Sequence, residues 1–301
     1  MSRASNKEMM GEEVLDKGAL QEGSLQDPSV WNPSVERVSE RVPLPVAVMI
    51  GAGRVASHLA PEWHRKGIRF KQVYSRTEES ASALAQQLGA EAVTCIEELT
   101  DEADLFVVSL ADDALHQLLP RLLKGREKSL WIHTAGSVPM QIFQGKAERY
   151  GVLYPMQTFS KSCEVDFSKV SLFVEASSDA ELRRLKSLAS LLSSHVYEAD
   201  SQKRKALHVA AVVTCNFVNH LFTLADEWLM QNGLPFEAMW PLIDETARKV
   251  HTLTPKEAQT GPAVRGDRKI VEEHLHLLES NPNLQHLYRL LSESIMQTHG
   301  Q

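Results

Sequence analysis

The residues best suited to chemistry begin with Gly51-Ala52-Gly53-Arg54-Val55-Ala56, a G-x-G-x-x-A pattern between the apolar run "VAVMI" and a helical pattern that starts with no polar cap. In that setting Gly51 permits a tight turn, Gly53 leaves a phosphate room against the backbone, and Ala56 lets helix and strand pack closely. The open amides around Ala52, Arg54 and Val55 then suit a diphosphate, helped by the positive end of the helix dipole. The next strand runs into "VYSRT". In dinucleotide folds an acidic residue at this point binds the free ribose hydroxyl, whereas an arginine accepts a 2'-phosphate. Ser75 carries no charge to repel that phosphate and Arg76 offers a planar fork for it, so NADP is favoured over NAD. Glu78 and Glu79 keep open the alternative that Arg76 is a solvated loop residue.

Further candidates follow from where later strands end. Ser109, Leu110 and Ala111 close a fourth strand and are expected over the dinucleotide, with Asp112 or Asp113 capping the helix that follows. "HTAGSVP" closes a fifth strand, and its His133 and Ser137 suit a nicotinamide and substrate pocket, as does Gln157 in "YPMQTF". Hydride transfer asks the protein for positioning and for a group that polarises or protonates the reacting carbonyl or imine. The helix pattern starting at "SQKRKALHVAAVVTCNFVNH" supplies His208, Asn216 and Asn219. At 100° per residue His208 and Asn219 fall within about 20° of each other, and Asn216 about 80° from His208. The two asparagines read equally well as core amides bridging helices. In "TGPAVRGD", Arg265 is a candidate for an anionic group and Asp267 for a helix cap. His274 and His276 are two apart on a helix and point to different faces, so no metal site is expected.

These residues need elements to hold them. From Val46 short apolar runs alternate with helical patterns: "VAVMI", "FKQVYS", "EAVTC", "ADLFVVSL", "SLWIHT", "GVLYPM", "SLFVEAS" and "HVYEA". Such alternation implies a doubly wound, mostly parallel α/β sheet of the Rossmann type. After Asp200 the pattern is all helical, over about 201–232, 236–259, 267–280 and 283–298 by the stop signals between them. The expected organisation is a loose extension at 1–43, a nucleotide domain at 44–200 and a helical substrate and dimerisation domain at 201–301. A net charge of -7 argues against nucleic acid or anionic membrane as a partner. Three scattered cysteines without a C-x-x-C pair suggest a reducing compartment, and the longest apolar stretch, "ALHVAAVV", is short for a membrane span. A cytoplasmic protein acting on a small molecule is the expectation.

Taken in order, G-A-G-R-V-A, V-Y-S-R, "HTAGSVP", "YPMQTFS", "HVAAVVTCNFVNHL" and "TGPAVRGD" resemble bacterial oxidoreductases that join a Rossmann-like NADP-binding domain to a helical C-terminal domain of unknown function. These are relatives of pyrroline-5-carboxylate reductase, ketopantoate reductase and 6-phosphogluconate dehydrogenase. The resemblance runs from about residue 45 to the end. It implies NADP(H) binding by the first domain, a substrate cleft between the domains and a homodimer formed through the helices. Two departures stand out. Hydroxyacid members carry a lysine four residues before an asparagine on the interdomain helix, whereas here Lys205 is followed at that spacing by Val209; and Tyr154 stands where relatives are expected to have histidine. The absence of that lysine favours the other reading, a non-catalytic NADP sensor or scaffold.

Overall fold

Strands that are apolar at every position must be covered on both sides, and the chain folds accordingly. The computed structural model describes residues 44–160 and 163–301, so the extension expected over 1–43 lies outside the described residues. Eight strands are described: β1 (Val46–Ile50), β2 (Arg69–Tyr74), β3 (Glu91–Val93), β4 (Leu105–Val108), β5 (Leu130–His133), β6 (Arg149–Met156), β7 (Ser171–Ala176) and β8 (Val196–Glu198). They form one sheet in the order β3-β2-β1-β4-β5-β6-β7-β8. Neighbours run parallel except β6 and β7, which are antiparallel. This is the doubly wound α/β architecture expected from the alternating pattern.

Helices α1 (Ala56–Arg65), α2 (Glu78–Leu88), α3 (Asp112–Leu123) and α4 (Asp179–Ser190) cover the sheet. The period of two along each strand sorts side chains between the faces. Ala47, Met49, Leu105, Val107 and Ile132 join residues of α1, α2 and α4 in one buried cluster. Val48, Ile50, Phe106, Val108 and Trp131 join α3 in the other. Each large side chain so buried contributes about 1.5–3 kcal/mol. The strand order reverses between β1 and β4, and ligands of such sheets bind in the crevice beyond the carboxyl ends of strands at the reversal.

From Ser201 the chain is helical: α5 (Ser201–Ala211), a π-helical segment (Val212–Phe217), α6 (Val218–Gln231), α7 (Trp240–Lys249), α8 (Pro255–Ala258), α9 (Arg268–Leu277) and α10 (Pro282–His299). Two expectations are corrected. The helix expected over 236–259 is broken before α8, where Pro255 disfavours helical backbone at Thr254 and Thr254 begins a capping box with Glu257. The continuous rod Ser201–Gln231 is long and apolar enough to cross a membrane by length and composition, and only 6% of its most apolar window is buried. The run "ALHVAAVV" contains His208 and ends before Thr214, so a count of uninterrupted residues stops well short of the rod.

Candidate functional site

Three loops meet at the carboxyl ends of β1, β2 and β4. The Gly51 amide donates to Tyr74 O at 2.8 Å, and the Ser109 amide to Ile50 O at 2.8 Å. Gly51 has φ +104°, and a Cβ there would lie 2.2 Å from Ser109 O. Close approach of the β4 loop therefore demands glycine as much as the tight turn does. Gly53 is the opposite case: it is exposed, and a Cβ would meet nothing within 4 Å. None of the amides of residues 52–56 donates a hydrogen bond within the described residues. Val55 stands at the N-cap of α1 without a side-chain bond, and the first turn holds no carboxylate. By contrast α2 and α3 carry acids in their first turns, and α4 and α5 are capped by Ser178 and Asp200. The α1 end thus combines free donors, a positive dipole end and open space beside Gly53, which fits a diphosphate.

At the end of β2, Ser75 is half-buried and its amide donates to Val93 O at 3.1 Å. Arg76 is exposed and makes no ion pair or hydrogen bond within the described residues. Glu78 instead accepts from Ser82 Oγ at 2.7 Å, so it does not occupy the guanidinium. On the β4 loop Ser109 and Leu110 are half-buried and Ala111 is exposed. The expected aspartate cap of α3 is corrected: Ala111 holds the N-cap position, and Asp112, one residue inside, accepts a hydrogen bond from Ser137 Oγ. That bond ties the β4 loop to the β5 loop.

The β5 loop is fixed from below. His133 is fully buried, its Nδ1 accepts from the Ala135 amide at 3.2 Å, and its ring stacks on Phe143. Burial, reinforced by the Arg204 guanidinium, holds its imidazole neutral with a pKa of about 3. With no exposed surface in this chain, the His133 side chain shapes the β5 loop, and its Nε2 has no hydrogen-bond partner among the described residues. Arg204 on α5 is also buried. It donates to Glu175 at 2.5 Å, to Val138 O at 2.6 Å and to Ser201 Oγ at 3.2 Å, while Ser201 Oγ accepts from the Met140 amide at 3.0 Å. One guanidinium so joins α5, β7 and the end of "HTAGSVP".

One helical turn beyond Arg204, on the same face, lies His208. Tyr154 Oη on β6 and His208 Nδ1 share a hydrogen bond of 3.2 Å, and a Cβ on Gly136 would sit 2.9 Å from that nitrogen and 2.9 Å from Tyr154 Cζ. Burial pushes the Tyr154 phenol above its ordinary value. The other helix candidates are arranged differently from the even wheel expected. Residues 212–217 are π-helical, so the step is no longer 100° and His208 and Asn219 lose their common register. Asn216 and Asn219 are exposed within this chain. Gln157 is exposed and its Oε1 accepts from the Thr158 amide at 2.7 Å. Arg265 is exposed and without a partner among the described residues, beside Asp267, which caps α9 as expected.

The structure therefore gathers Gly51, Gly53, Ser109 and Leu110 in one place, and His208 with Tyr154 and Gly136 in another; Ser137 is bonded to the β4 loop. Asn216, Asn219, Gln157 and Arg265 make no hydrogen bond to these groups among the described residues. Arg204 and Glu175 were not among the sequence candidates, and Tyr154 was noted only as a departure from the relatives. The spacing of four between Arg204 and His208 was a usable signal for the first.

Comparison with known proteins gives a consistent result. Residues 46–135 match the family "NADP oxidoreductase coenzyme F420-dependent", and residues 170–295 match a domain of unknown function, DUF2520. A Bacteroides fragilis protein classed as an NADP oxidoreductase is 53% identical, with 84% of this chain and 98% of that one aligned at a TM-score of 0.81. An imine reductase from Myxococcus stipitatus, solved with NADP+, is 18% identical over 84% and 92% of the two chains, TM-score 0.58. Pyrroline carboxylate reductase from Plasmodium falciparum, solved with NADP, is 14% identical over 85% and 97%, TM-score 0.55. The last two share the fold. A search of the curated proteins finds no match.

Proposed function

Since this chain belongs to the NADP oxidoreductases that join an F420-dependent-type nucleotide domain to a DUF2520 domain, we propose that it transfers a hydride between NADP(H) and a small polar carbonyl, imine or hydroxy acid. The observation that carries this reading is the β1–α1 turn, with its free amides of residues 52–56 and its open Gly53. Those amides would hold the diphosphate and unpaired Arg76 the 2'-phosphate, with Ser75, Arg54 and the backbone of Ser109 to Ala111 around the dinucleotide. When bound, the nicotinamide supplies or accepts the hydride. The substrate site would lie between the β5 loop and the α5–α6 rod, bounded by Ser137, Gln157, His208, Asn216 and Asn219, with Arg265 for an anionic group. The division near residue 200 into nucleotide and helical substrate domains, and placement in the cytoplasm, belong to the same proposal. A steady-state screen of 2-oxo acids, cyclic imines and hydroxy acids with NADPH or NADP+ tests it. Turnover of one class supports the reading; NADPH binding with turnover of none favours a sensor.

The rod Ser201–Gln231 needs a partner, and we propose a second copy of this chain. Val209, Val213, Phe217 and Met230 on it are exposed, as are Trp240 and Leu242 beyond it. Monomeric soluble proteins rarely leave so much contiguous apolar surface in water. Exposed Asn216, Asn219 and His220 on the same rod make a lipid environment costly, whereas an isologous helix interface can satisfy amides across a two-fold axis. Light scattering after size exclusion should give twice the chain mass of 33.6 kDa, and Phe217→Asp should shift it toward the monomer. A wild-type monomer would remove the proposal.

A further inference from the structure

Resting on the hydride-transfer reading, we propose that His208 delivers the reaction's proton from Nε2 and that Tyr154 is its positioning residue, gripping the imidazole at Nδ1. Neither residue is held loosely. Tyr154 lies in a buried cluster with Val152, Phe173 and Ala199, against which Leu207 of α5 packs. The two rings meet edge to face, centroids 6.1 Å apart at 72°. Arg204, one turn earlier, pins α5 to Glu175 and to the carbonyl of Val138. Gly136 is the third wall. The space that its missing side chain leaves is filled by His208 Nδ1 and the Tyr154 ring, each 2.9 Å from where a Cβ would be.

The phenol sets the terms of this hydrogen bond. Burial keeps Tyr154 protonated, with Cys215 acting in the same sense and Arg204 against it. A phenol that keeps its proton can both donate to Nδ1 and accept from it, so Tyr154 holds the ring at that nitrogen before and after proton transfer. That leaves Nε2 as the ring nitrogen without a partner among the described residues, on a side chain that is half-buried rather than sealed. A catalytic histidine whose tautomer and orientation are fixed by a bond at the other nitrogen is a recurrent device for directing proton transfer.

The step balances. In the reductive direction a bound reduced nicotinamide would supply a hydride, one hydrogen with two electrons, to the substrate carbon, and the π pair of the C=O or C=N bond would move to oxygen or nitrogen. His208, as imidazolium, gives its Nε2 proton to that atom: one N–H bond breaks and one O–H or N–H bond forms. The ring is left neutral with its proton on Nδ1, facing the Tyr154 oxygen, and regains its charge from water. Tyr154 changes no covalent bond in this sequence.

The test pairs spectroscopy with kinetics on the full-length protein. With 15N-histidine labelling and a His208→Gln sample to assign the signal, the His208 Nδ1 resonance should move in Tyr154→Phe. With 1-pyrroline and pyruvate as imine and 2-oxo acid probes, Tyr154→Phe should lower kcat about tenfold with KM and NADPH affinity unchanged, and His208→Gln about 10²-fold or more, the range of a lost general acid. Gly136→Ala should move the same resonance by crowding both rings, which keeps the inference testable if Tyr154→Phe does not fold. An unmoved Nδ1 signal, or a Tyr154→Phe enzyme as fast as an active wild type, overturns the inference. Failure of the underlying reading is seen elsewhere, as a wild type that oxidises NADPH with neither probe.

Discussion

Gly51 and Gly53 sit two residues apart in one motif, yet substituting each by alanine should break different things. At Gly51 the backbone has φ +104°, and the new methyl would lie 2.2 Å from Ser109 O and 2.9 Å from Ser109 C, both backbone atoms that cannot swing aside. The left-handed conformation costs about 1–2 kcal/mol for a non-glycine residue and overpacking about 1–3 kcal/mol. Gly51→Ala should therefore destabilise the fold by about 2–5 kcal/mol, a fall in Tm of about 4–20 °C for a domain of this size. At Gly53 nothing lies within 4 Å of the added methyl, and its φ is outside the strained range. Gly53→Ala should leave stability within about 0.5 kcal/mol, or raise it by up to about 1 kcal/mol through a stiffer unfolded chain. Its cost should appear only with ligand, because the methyl occupies the space where a diphosphate approaches the amides. A tenfold rise in the NADPH Kd corresponds to about 1.4 kcal/mol. Thermal melts with and without NADPH, together with NADPH fluorescence titrations, separate the two. If Gly53→Ala bound NADPH as the wild type does, the turn would not be a phosphate cradle. If Gly51→Ala melted unchanged, the close packing on Ser109 would not be the reason for glycine there.

Two further predictions concern the support beneath the site. His133, held at about 3 against an ordinary value near 6.5, binds its proton only in the unfolded chain between those values, so stability should be complete above pH 6.5 and fall as pH is lowered through the window. The slope from this one group approaches about 1.4 kcal/mol per pH unit, and His133→Asn, which keeps an acceptor for the Ala135 amide, should flatten it in urea melts at pH 4–7; an unchanged slope would contradict the assignment. Arg204→Met should cost about 3–5 kcal/mol by leaving Glu175 without its cation, and Glu175→Leu in the same chain should restore most of that; a loss below about 1 kcal/mol in a denaturant melt would mean that the clamp holds nothing.

What could be read in advance was what depends on local pattern. Eight short runs became eight strands, the central β1 and β4 apolar throughout as a doubly covered sheet requires, and the glycine turn follows from the β-α junction alone. What escaped reading depends on distant residues meeting. Tyr154 and His208 are 54 positions apart and Arg204 and Val138 are 66 apart, so only the fold makes them neighbours. His133 drew notice because it ends a strand, and the alternation along β5 turns its side chain into the packed face beside Phe143. The helix wheel failed for a different reason: a π segment resets the register of every residue after Val212, and nothing in "VVTCNF" announces it.

The account turns on whether the amides at the start of α1 and the Arg76 guanidinium, both without partners among the described residues, recognise a phosphorylated dinucleotide. Calorimetric titration of the wild type and of Arg76→Ala with NADPH and NADH addresses this directly. NADPH should bind the wild type at least tenfold more tightly than NADH, and Arg76→Ala should erase that difference mainly by weakening NADPH. Folded wild-type protein that released no heat with either dinucleotide, or an Arg76→Ala variant that weakened both equally, would contradict it.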